Sequence, residues 1–220
     1  MTDNEIARRA GFFHNFTLDA IAHQPGFSSL THEQVYNFAC ENAVSFAESL
    51  NLPAQTPVSW ATFKEAVTPL VTMTNPLQYL YEQNLISEKE YYLANALDQY
   101  AANNLNAETV TAGTFEHLRQ EVAAFSDLVE NAGLDATATA RLLAMASVTE
   151  HSALYWLTAQ ANPDNLWYPT TQGPTKPTVA ARGDRLGWYL FLVALDGGFI
   201  IGAAVVAVLS IIFWNEPPAP

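Results

Sequence analysis

The chain has 220 residues, of which 50% are hydrophobic and only 14% charged. That length allows one domain, or one domain with an appendage, and a core of real size. Its formal net charge of -13 repels phosphate backbones, so no nucleic-acid partner is expected.

Helical patterning dominates the first 165 positions, and alternating strand patterns are nearly absent. Asp3, Glu5, Arg8 and Arg9 crowd the first nine residues with no apolar run behind them. No signal peptide is expected there, which points to synthesis in, and first exposure to, the cytoplasm. Two short helical pieces are expected before the turn Gln24-Pro25-Gly26. Thr31 with Gln34 three residues on reads as a capping box, and Val35, Phe38, Ala39, Ala43, Phe46 and Leu50 follow at helical spacing. The single cysteine, Cys40, lies on this helix as a small apolar residue. One cysteine permits neither an internal disulfide nor a zinc knuckle.

Pro53 and Pro57 end that unit. Ser59 caps a short helix that is expected to stop at Val67, before Pro69. Asn75-Pro76 opens a helix to about Glu82. Ser87 and Glu90 form a second capping box, followed by an apolar stripe of Tyr92, Leu93, Ala96, Leu97 and Tyr100. The next helix, from about Thr114 to Asn131, is expected to turn Phe115, Leu118, Val122, Phe125 and Leu128 inward and to close at Gly133. Asp135 caps a helix to about Ala159, with Leu142, Leu143, Ala146, Leu154 and Leu157 on one face. Short connections predict antiparallel packing of neighbouring helices. The fold class is thus all-α: a bundle of about six helices over residues 1–160.

Residues 161–185 form a proline-rich linker with Pro163, Pro169, Pro174 and Pro177. The charge imbalance stops near there. Residues 1–165 hold six Lys/Arg against nineteen Asp/Glu, and residues 166–220 hold three of each.

From Leu186 to Trp214 the only charge is Asp196. Gly197 to Trp214 is uncharged, and as a helix would be about 27 Å long, close to bilayer thickness. Ala194, Gly198 and Gly202 repeat every fourth residue, the spacing that lets membrane helices approach and self-associate. Trp188 and Trp214 lie near the two ends, as an aromatic belt requires, with Lys176, Arg182 and Arg185 upstream. One reading is a tail anchor, with the helical body cytoplasmic and the tail of residues 215–220 across the bilayer. The other rests on Asp196-Gly197-Gly198 as a turn between two short apolar helices, a hairpin buried in the bundle or inserted on cue.

Candidate chemistry is sparse. The histidines are His14, His23, His32, His117 and His151. None belongs to a His-Glu-x-x-His or Glu-x-x-His pairing, so no metal or other cofactor is expected. There is no nucleophile elbow and no phosphate-binding glycine loop, and the expectation is a protein without catalytic activity. Tyr155-Trp156 and Leu166-Trp167-Tyr168 read as core packing and a loop plug, or as a partner-binding rim.

Gly11-Phe12-Phe13-His14-Asn15-Phe16-Thr17-Leu18-Asp19-Ala20-Ile21 resembles the G-x-x-H-N-x-x-L-D-x-I opening of a group of small bacterial proteins with no known activity. Members also carry a late Tyr-Trp pair and a glycine-rich apolar terminus, which Tyr155-Trp156 and Asp196-Gly197-Gly198 match in place. The resemblance covers about a tenth of the chain and implies a bacterial origin. It leaves the role of Gly11, His14, Asn15, Leu18 and Asp19 open. A local reading has His14 and Asn15 satisfying turn backbone between the first two helical pieces.

The expected function is a membrane-anchored helical interaction protein. Its partners would be the lipid bilayer, an unidentified protein, and a second copy through Gly198 and Gly202. The alternative is a soluble helical protein, cytoplasmic or secreted without a signal peptide. It would hide an apolar hairpin, either as a pore-forming device or as permanent core.

Overall fold

The computed structural model describes residues 2–52, 56–71, 75–104, 112–168, 202 and 207–208. Among them are eight α-helices: α1 (Asp3–Ala7), α2 (Ala10–Ala22), α3 (His32–Ser49), α4 (Trp60–Val71), α5 (Pro76–Glu82), α6 (Glu88–Asn104), α7 (Ala112–Glu130) and α8 (Ala136–Ala161). The described residues contain no strand, so the all-α class holds. The count passes about six when the short pieces expected at the N-terminus and after Asn75, the five-residue α1 and the seven-residue α5, are counted separately.

Local chemistry sets most boundaries. Thr31 and Gln34 make both bonds of their capping box, and so do Ser87 and Glu90. Asn75 caps α5 ahead of Pro76, and Asp135 caps α8 through the Ala138 amide at 2.7 Å. Gly26 and Gly133 take left-handed φ values of 70° and 66° at the turns after α2 and α7. Pro69 does not stop α4, which runs on to Val71. In a last turn, proline removes only one intrahelical bond.

Helix α8 occupies the centre, packed by α1, α2, α6 and α7. Residues 142–149 of α8 are all buried, so its apolar surface runs round the helix and is not the single face expected from the leucines. Two other stripes are rotated from expectation. On α6, Tyr92 and Ala96 face solvent, and Glu90, Ala94, Leu97 and Ala101 are buried instead. On α7, Leu128 is exposed and Val129 completes the stripe of Leu118, Val122 and Phe125.

The cause on α6 is Glu90. Its buried carboxylate forms an ion pair with Arg141 of α8, so the inward face is centred on a charge that apolar patterning passes over. Aromatic packing joins the next layer: Tyr36 of α3 stacks on Phe63 of α4 at 4.7 Å, and its hydroxyl donates to the Val58 carbonyl.

Gly202 is helical and buried, and Ala207 and Val208 are helical, fully buried and part of the hydrophobic cluster of the body. The rest of 186–214 and the linker beyond residue 168 lie outside the described residues. Among the described residues no helix is long and apolar enough to cross a membrane.

Glu90→Ala should lower stability by about 3–5 kcal/mol, because it takes the carboxylate from a buried pair and half of a capping box. Urea unfolding of the two proteins measures the difference.

Candidate functional site

The motif residues of α2 fall at positions 11, 14, 15, 18 and 19, which is one face of a 3.6-residue helix. That face lies on α8. Its contacts there come from Ser147, His151 and Tyr155, spaced by four. Gly11 meets Ser147, Asn15 meets His151, and Asp19 meets Tyr155, each pair 136 positions apart. Both helices therefore advance together, and α2 runs parallel to α8 in strict register.

Ser147 holds the top of the seam. Its hydroxyl donates to the Arg8 carbonyl at 2.8 Å and accepts from the Gly11 amide at 3.0 Å. Arg8 is the C-terminal cap of α1, and Gly11 lies in the first turn of α2. Arg9, the N-cap of α2, supplies no side-chain bond. One hydroxyl from α8 thus satisfies an orphan carbonyl of one helix and an orphan amide of the next.

Gly11 permits that approach. A Cβ at position 11 would stand 2.2 Å from the Ser147 carbonyl oxygen and 2.5 Å from Nδ1 of His151. Neither the backbone of a packed helix nor a held imidazole can yield that far.

Below Ser147 the bonding sets which atoms donate and which accept. His151 Nδ1 lies 2.9 Å from the Ser147 carbonyl, which only accepts, so Nδ1 carries the hydrogen. Asn15 Nδ2 donates to the His151 carbonyl at 3.1 Å, which leaves Oδ1 as an acceptor. His14 Nδ1, 2.9 Å from that Oδ1, must then be its donor, and Nε2 of His14 is the bare base. His14 is fully buried, and among the described residues Nε2 has no hydrogen-bond partner. Burial pushes its pKa down to about 4, the Asn15 bond opposes that, and the neighbouring His151 adds to it.

At the lower end the Tyr155 hydroxyl donates to Asp19 at 2.7 Å and accepts the Trp167 indole N–H at 3.0 Å. Burial, then the Asp19 carboxylate, raise the Tyr155 pKa above the phenol range. Trp167 packs edge-on to Phe27 and Trp156, so the turn after α8 plugs this end.

Four of the five motif residues thus lie on one polar seam, and Leu18 is fully buried beside it. The local reading of His14 and Asn15 does not hold. Both lie inside α2, where turn backbone is out of reach, and they bind each other and α8. Of the other singled-out residues, Gly202 is buried; Trp188, Ala194, Asp196, Gly197, Gly198 and Trp214 lie outside the described residues. Sequence reasoning missed Ser147 and His151. Their signal is the spacing by four of Ser147, His151 and Tyr155, which puts three polar groups on one face of the helix.

The seam's chemistry is recognition of one helix by another. Both hydroxyl functions of Ser147 are engaged, and Glu150 turns from the seam to Arg119 of α7 at 3.5 Å. Burial pushes the Cys40 thiol up to about 11, so it is a protonated core residue. Among the described residues no three His, Cys, Asp or Glu side chains converge as a metal site. Comparison with protein-family models, with curated proteins and with solved structures finds no match to the chain.

Gly11→Ala tests the close approach. Helix propensity alone favours alanine by about 1 kcal/mol. The clash with Ser147 should reverse that sign and cost about 2 kcal/mol or more, as overpacking does. Denaturant midpoints of the two proteins decide it, and a stabilised variant would rule the contact out.

Proposed function

We propose that this is a non-catalytic, membrane-directed protein whose helical body shelters its own apolar segment, residues 186–214. The observation that carries the reading is the burial of Ala207 and Val208. They lie within the uncharged run Gly197–Trp214, yet belong to the hydrophobic cluster of the body. In a helix held away from the body by a linker, these positions would meet lipid and not belong to the hydrophobic cluster of the body.

The acidic surface keeps the body in water while the bundle covers a segment long enough to enter lipid. Gly202 is also buried and leaves room for a close helix contact. A second reading draws on the run itself: eighteen uncharged residues, within a segment 186–214 that has Trp188 and Trp214 near its ends, suit a permanent anchor, with a cytoplasmic body and pairing through Gly198 and Gly202. In both readings the bilayer is the partner, and in the second an unidentified protein binds the body.

Fractionation separates the readings. The sheltered segment predicts a full chain soluble after carbonate extraction, and a chain truncated after Arg185 that aggregates or loses cooperative melting. A full chain that stays in carbonate-washed membranes, beside a soluble and folded truncation, supports the permanent anchor and overturns the sheltering. Dye release from anionic liposomes by the soluble full chain measures its capacity to enter lipid.

A further inference from the structure

We propose that the α2–α8 seam is an acid-sensitive clasp: a proton taken up at Nε2 of the buried His14, beside His151, parts α1 and α2 from α8.

The geometry supplies both halves of the device. His14 donates through Nδ1 to Asn15, so the only place for a second proton is Nε2. That atom is fully buried with no acceptor near it. An imidazolium there would lose its hydration without a compensating bond, and His151 beside it also disfavours the charge. Asn15 joins His14 directly to the α8 backbone at His151, so a displaced His14 ring disturbs the contact that holds the two helices in register.

The charged groups around the site do not offset such a proton. The elements packed on α2 are α8 and α3. On α8, His151 is the group whose charge reaches His14, and it opposes protonation. Glu150 is turned to Arg119, and the Arg8 guanidinium at the head of the seam is turned outward to Glu130 of α7. The inward titratable groups of α3 are Tyr36 and Cys40, and burial keeps both neutral by raising their pKa values. On α2 itself, Asp19 is engaged by Tyr155.

The direction in pH follows from proton uptake. His14 is neutral in the closed fold down to about pH 4 and regains its ordinary value of 6.5 when the helices part. Its contribution is complete above 6.5 and is lost as pH falls toward 4. Across that window the opening constant rises about tenfold per pH unit from this group alone. Opening would bare Leu18, Val148 and Ser152, all now fully buried. The clasp does not depend on how residues 186–214 are housed.

The test is native-state hydrogen exchange of the Leu18 and Ile21 amides in the full chain between pH 7.5 and 4.5. Wild type is compared with His14→Asn and His14→Gln at each pH, so intrinsic exchange rates cancel. Neither variant can take up the proton, and asparagine keeps an N–H to donate to Asn15. The opening constant of wild type should rise by about 100-fold more than that of the variants by pH 4.5. Equal pH slopes in wild type and a folded variant would overturn the clasp. If neither variant folds, an NMR titration of His14 in wild type decides. A ring neutral down to pH 5 in the folded chain supports it, and one that titrates near 6.5 rules it out.

Discussion

The hydroxyl of Ser147 is the point on which the N-terminal third of the fold depends. A helix begins with amides that its own backbone cannot satisfy and ends with carbonyls in the same state. Here α1 ends and α2 begins within three residues, and Arg9 gives the second helix no side-chain cap. The missing bonds come from 136 and 139 positions away, from a serine inside the central helix. Local structure at residues 8–11 is therefore completed only when the tertiary contact forms. Gly11 is the matching half, because any side chain there would hold the two backbones apart.

The central helix gathers polar fasteners along its length. Glu90 of α6 reaches Arg141 near its start, Ser147 and His151 hold α2 at its middle, and Tyr155 ties Asp19 and Trp167 near its end. Between them the buried residues mix larger side chains, Leu142, Leu143, Met145 and Val148, with small ones, Ala144, Ala146 and Ala153. Small residues bring neighbouring helices close but offer little shape to fix register. The buried polar bonds supply what alanine does not, since each is satisfied in one alignment only. A slip of α2 along α8 by one turn would strand Asn15, Asp19 and the Gly11 amide together.

Helix ends were the most legible part of the sequence. The two capping boxes, Asn75-Pro76 and Asp135 signal through bonds made within four residues, so they are written locally. Inward faces were less legible. Hydrophobic periodicity placed Tyr92 and Leu128 inside, where an ion pair and the neighbouring Val129 decide otherwise. The seam was half legible. The spacing of Gly11, His14, Asn15 and Asp19 marks one helix face, but their partners on α8 are single polar residues that no local rule pairs with them. The apolar segment was visible as composition, and the burial of Ala207 and Val208 adds where part of it lies.

The measurement closest to the central claim is hydrogen exchange of the Gly11 amide in wild type and in Ser147→Ala. This amide lies in the first turn of α2, where no helical carbonyl protects it. If Ser147 completes the helix, the amide exchanges in wild type as slowly as the middle of α2. In the variant it becomes fast while the rest of α2 keeps its protection. A Gly11 amide that already exchanges freely in wild type would contradict the account, because α2 would then begin without α8.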